Sequence, residues 1–138
     1  MKHLLSNISI LILLCLFISY KSNSQIYKFR VLLTRTANVK AGSIHPAKVK
    51  VDTTNFIISY DLDNDKIIIH KGDYELNYDG FNAVLDSPYS KQLTMKAIDD
   101  NGIQCNIFLE IGKSDEGYDG QLQIIYLTKV TIYYFKIL

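Results

Sequence analysis

Asp61-Leu62-Asp63-Asn64-Asp65 sets three carboxylates at alternating positions between two β-branched runs. A hard cation such as calcium takes about six to eight oxygen ligands, and alternate residues on a tight turn can aim carboxylates at one point. Asp61, Asp63 and Asp65 are therefore the candidate metal ligands, for a weak extracellular calcium site. The wider pattern departs from an EF-hand loop, which needs Gly at its sixth position and Glu at its twelfth. Lys66 and Gly72 stand there instead, and the flanks read as strands where helices are required. The competing and favoured reading is a hairpin loop in which Asp and Asn side chains bond their own backbone.

Other chemistry is sparse. His45 and His70 are the histidines downstream of residue 24, and strand counting sends them toward opposite ends of a sheet, which disfavours a zinc site built on both. Cys105 alternates with aliphatic residues in Ile103-Gln104-Cys105-Asn106-Ile107-Phe108-Leu109, so its thiol is expected on a buried face as an inert core group. A pairing of Cys105 with His70 would lack a third, orienting group. No G-x-S-x-G, H-E-x-x-H or phosphate-cradling loop occurs. No catalytic or cofactor-binding residue is therefore assigned, and a small hydrolase is the least favoured function. Tyr74, Tyr78, Tyr126 and Tyr133 offer aromatic faces for a sugar or an apolar ligand, against the simpler reading that they pack a small β core. The chain carries no Trp and is short for an open cavity, so a filled core is expected.

The elements that would hold these residues are strands. Ile26 to Thr34 alternates with Tyr27, Phe29, Val31 and Leu33 on one face, and Ala47 to Asp52 has one apolar and one charged face. Seven further β-branched and aromatic segments follow: Asn55 to Tyr60, Lys66 to His70, Tyr74 to Tyr78, Gln92 to Ile98, Ile103 to Ile111, Gln121 to Leu127 and Val130 to Ile137. No helical period intervenes. The expected fold is all-β, a small antiparallel meander closed into a filled barrel or sandwich. Antiparallel counting sends Arg35 to Pro46, Asp61 to Asp65, Asp79 to Lys91 and Gly112 to Gly120 to one end. Thr53-Thr54, Lys71 to Asp73, Asp99 to Gly102 and Thr128-Lys129 go to the other as tight turns, the Asn101-Gly102 pair being a strong two-residue turn signal. Binding groups gather on long loops over a rigid scaffold, so the long-loop end, rich in acids, is the expected site for a protein or small-ligand partner.

Residues 1 to 24 have the plan of a secretory leader: basic Lys2, an apolar run from Ile8 to Ile18, then Ser22-Asn23-Ser24 before a cut. The run is short of the roughly 20 residues a spanning helix needs, and Leu14 before Cys15 disfavours lipidation. No membrane span is expected after removal, and the product would be secreted or periplasmic. Residues 25–138 form one domain of 114 residues, from 138 less 24. Of the 15 basic residues Lys2 and Lys21 leave with the leader while all 14 acids stay, so the domain carries a net charge of −1. That balance excludes an electrostatic nucleic-acid binder.

The segments DDNGIQCNIFLEI (99–111) and GQLQIIYLTKVTIYYF (120–135) resemble the ends of short exported bacterial β proteins of unassigned function. The resemblance implies export and a β fold and supplies no chemistry. The function expected is a small exported, non-enzymatic binding or interaction module, the alternative being a calcium-stabilised structural domain of the cell envelope.

Overall fold

A computed structural model describes residues 25–39, 49–85 and 91–138. Eight strands run in chain order: β1 (Ile26–Asn38), β2 (Val49–Asp61), β3 (Lys66–Lys71), β4 (Tyr74–Leu85), β5 (Gln92–Asp99), β6 (Gln104–Ile111), β7 (Gly120–Ile125) and β8 (Lys129–Ile137). Each pairs antiparallel with the next, and β8 pairs back onto β1, closing a barrel. Closure pairs every strand with two neighbours, although Val49–Phe56 of β2 run beyond β3 and pair with β1 alone.

Alternation sorts the side chains. On β5 and β6, Leu93, Met95, Ala97, Cys105, Ile107 and Leu109 are buried inside, while Thr94, Lys96, Asn106 and Glu110 face out. The interior is apolar and the outer face of these strands mixed, Ile98 and Phe108 lying among the polar residues. No described helix is long and apolar enough to cross a membrane. Phe29 and Phe135 stack at 4.4 Å between centroids in the core, and burying side chains of this size stabilises the fold by about 1.5–3 kcal/mol each.

Thr53-Thr54 is not a turn. β2 runs straight through it, so eight strands replace the nine segments expected. At that point the register slips: Val31 lies opposite Phe56, but Leu33 lies opposite Thr53, leaving Thr54 and Asn55 against Leu32 alone. β1 slips at the same place against β8. Such a bulge inverts the side-chain parity, so the inward set on β1 passes from Phe29 and Val31 to Thr34, and Leu33 leaves the face expected for it. The physical reason the turn fails is that two β-branched residues cannot supply the positive φ angles of a two-residue hairpin.

One strand fewer between the first two long connections moves loops between ends. β1 leaves at Asn38 and β2 enters at Val49 at the same end as the turns after β3, β5 and β7. The Arg35 to Pro46 connection therefore does not join the other three long loops. Arg35 to Asn38 belong to β1, and residues 40–48 and 86–90, with His45, Pro46 and Pro88, lie outside the described residues. β4 extends to Leu85, so Asp79 and the residues after it are strand.

The barrel is plugged at the end carrying 62–65 and 112–119. Gly80 donates its N–H to the Asp65 carbonyl at 2.8 Å, and a Cβ there would collide with that carbonyl and with Met95 Sδ. At Gly120 a Cβ would meet the Glu110 carbonyl and the Phe135 ring. Glycine at both positions lets backbone and core side chains close over this end.

Candidate functional site

At the opposite end the described residues leave the bore open. Between the turns at 72–73, 100–103 and 126–128 the bore widens into a bowl of about 820 Å³. That volume falls in the range of small-molecule sites, and an eight-stranded barrel is just wide enough to hold one such ligand. The filled interior expected from the sequence holds in the plugged half and gives way to this hollow at the mouth. The side chains change there: the aliphatic and phenyl groups of the core are succeeded by the shorter Thr34, Thr36, Thr54 and Thr131, with Thr34 and Thr54 sharing a hydrogen bond at 3.5 Å.

The floor is apolar and aromatic, with Phe56, Leu76, Ile124 and Tyr133, and the rings of Phe56 and Tyr133 meet edge to face at 5.8 Å. Lys71, at the end of β3, reaches across the bore, its Nζ 5.2 Å from the Phe56 centroid and 5.4 Å from that of Tyr133. Such cation–π contacts hold an ammonium that has lost part of its hydration. Burial keeps the Lys71 pKa below its ordinary value, and Lys129 adds repulsion. On the facing wall Tyr78 bonds to Tyr126, whose hydroxyl donates to Asp99 Oδ2 at 2.9 Å. Burial, with the Asp99 carboxylate, pushes Tyr126 up to about 12. Partial burial works against the Asp99 carboxylate, but the Ile103 N–H, the Tyr126 hydroxyl and the Asn101 N–H outweigh it and hold the group below the usual range. Asp99 also organises the turn: its Oδ1 accepts from the Asn101 and Ile103 N–H groups at 2.9 Å each. Only Gly102 takes a positive φ there, so the connection is a three-residue loop with a left-handed glycine where the sequence suggested two residues. Ile103 and Leu127 form an exposed apolar lip.

The tyrosines singled out in the sequence divide accordingly. Tyr78, Tyr126 and Tyr133 line the bowl, while Tyr74 is exposed and Tyr134 lies on the outer wall under Tyr118 and Arg35. Lys71 and the threonines were missed. Their signal was weak, since inward position depends on the bulge parity.

Asp61 ends β2, and Asp63 and Asp65 lie in the four-residue loop that follows it at the plugged end; the three point to separate partners. Asp61 Oδ1 accepts from the N–H groups of Asp63 and Asn64 at 3.1 and 3.3 Å, and its Oδ2 from Asn64 Nδ2 at 2.9 Å. Asp63 accepts from the Gln25 N–H at 3.3 Å, and Asp65 from the Tyr60 hydroxyl at 3.3 Å. Among the described residues no three His, Cys, Asp or Glu side chains gather closely enough to hold a metal ion. The 112–119 loop folds back along the wall, Tyr118 packing on Tyr134 at 5.3 Å and Glu116 pairing with Arg35 at 3.5 Å.

Cys105 is buried inside the barrel and His70 sits on its outer face, so the wall separates them. His70 instead lies between Ser59 Oγ, 3.0 Å from Nε2, and Glu75 Oε1, 2.7 Å from Nδ1. The order of groups matches a nucleophile, base and orienter. It stands on β2, β3 and β4, and Ser59 lies in a stretch of β2 paired on both sides, opposite Lys28 and Ile68. The bonds link β2, β3 and β4 side by side as a cross-strand tie.

No protein-family model, curated protein or solved structure matches the chain. The geometry of the bowl is what a functional reading stands on.

Proposed function

We propose that the chain is a small exported, non-enzymatic binding module that takes a small organic molecule into the bowl at the tight-turn end of its barrel. The observation that carries this reading is the hollow of about 820 Å³ with an apolar floor and a hydroxyl- and amine-bearing wall. Polar groups that fix orientation over an apolar surface are the usual composition of a ligand site. The long-loop end supports it less: 62–65 is a self-bonded turn and 112–119 is packed down on the wall.

Thr36 lines the bowl near its mouth, so Thr36→Phe should obstruct it while leaving the plugged core intact. Native mass spectrometry of the protein after incubation with small-molecule envelope extract and desalting is expected to show an added mass on the wild type. The mass should persist in Asp115→Asn, at the opposite end, and be lost in Thr36→Phe. Loss in Asp115→Asn with retention in Thr36→Phe would move the site to the loops and overturn the reading.

A further inference from the structure

Two ammonium groups converge on the bowl. Lys71 crosses the bore from β3 to stand over Tyr133 of β8, and Lys129, at the start of β8, lines the same hollow. Alternation along β8 places Lys129, Thr131 and Tyr133 on one inward row. Among the described residues neither lysine forms an ion pair.

The acids of the same wall are already engaged. Asp52 pairs with Lys50 at 3.1 Å. Asp99 accepts from Tyr126 and from its own turn, and Asp100 accepts from the Asn77 N–H at 2.8 Å. Among the described residues the bowl therefore presents two cations with no ion pair beside three carboxylates, of which Asp52 is ion-paired and Asp99 and Asp100 are held by hydrogen bonds.

The partly buried Lys71 ammonium without a counter-charge is costly, and repulsion from the exposed Lys129 adds to that cost. An oxyanion beside both would supply the counter-charge Lys71 lacks, offset the repulsion between the two lysines, and could also accept from the Thr131 hydroxyl, which is itself buried. We infer that the bowl takes an organic oxyanion, its acidic head between Lys71 and Lys129 and its apolar body on Phe56, Leu76 and Ile124. This inference rests on the bowl being the binding site, as proposed above. The head is a carboxylate or a phosphate, since lysine binds either as a point charge.

Four probes with a common tail separate the possibilities: octanoate, octyl phosphate, octanol and octylammonium, titrated calorimetrically into the full domain. At least one of the two anions is expected to bind roughly tenfold tighter than octanol, the scale of one charge-assisted hydrogen bond, and the tighter of the two identifies the head. Lys71→Met and Lys129→Met should each abolish that preference and leave octanol unchanged, and added salt should weaken only the anions. Methionine keeps the contact of Lys71 with the Phe56 and Tyr133 rings without the buried charge, so a folded variant is expected. Lys71→Gln serves as the second variant, and the wild-type salt dependence needs no variant at all. Equal binding of octanol and both anions, or preference for octylammonium, overturns the oxyanion while leaving the bowl as a site. Failure of all four probes, together with an unmodified mass in the extract experiment, overturns the site itself.

Discussion

At the scale of single residues, the aspartates of 61–65 act on their own loop. Both oxygens of Asp61 are met by donors from Asp63 and Asn64, and Asp65 holds the hydroxyl of buried Tyr60. A cation would have to displace these bonds and bring three divergent side chains together, and ligand binding raises stability only when the bound state gains more than it gives up. Millimolar calcium followed by chelator is accordingly expected to leave the melting temperature in place. A rise with calcium that chelation reverses would restore these residues as metal ligands. The spacing of the carboxylates was plain in the sequence. Their directions were not, because rotamers in a loop depend on which backbone N–H groups the turn exposes.

At the scale of strands, Glu110 of β6 ties its two neighbours: Oε1 accepts from Gln92 Nε2 on β5 at 2.9 Å and Oε2 from Gln121 Nε2 on β7 at 2.7 Å. The Gln121 amide, then the Gln92 amide, hold the carboxyl below its ordinary value against a small opposing cost of burial. A folded pKa below the unfolded one means stability that is present above the unfolded value of about 4.3 and is lost as pH falls through the folded value. Urea midpoints of the wild type should therefore drop between pH 7 and pH 3, and Glu110→Gln should make that drop shallower. Equal drops would show that the tie carries no linkage. Strand existence was legible from period-two alternation, above all in 103–111, where every inward and outward assignment holds in β6. The bulge was not, since Thr53-Thr54 breaks the alternation in the same way as a turn would, and only their β-branching argued otherwise. That single misreading moved a loop to the wrong end and hid the bowl, whose lining comes from positions as far apart as Thr34 and Tyr133 and can be assembled only once the parity of each strand is known.

At the scale of the whole molecule, closure of β8 onto β1 buries the core of the described barrel. Cys105 lies in that core at 5 % exposure, its thiol pushed up to about 11 by burial and by the Asp99 charge. Only the thiolate reacts readily, so iodoacetamide at pH 8 is expected to label the native domain slowly and the urea-unfolded chain fast, with the native rate tracking global opening as denaturant is added. Rapid labelling of the native state would mean that the wall beside Cys105 opens locally. The glycine-closed end has a further consequence for any occupant of the hollow. Where the described residues close that end, water leaving the bowl must pass the arriving molecule at the lip of Ile103 and Leu127, and the molecule departs by retracing its path. Residence time is then governed at the rim, and the floor decides only how much is gained on arrival.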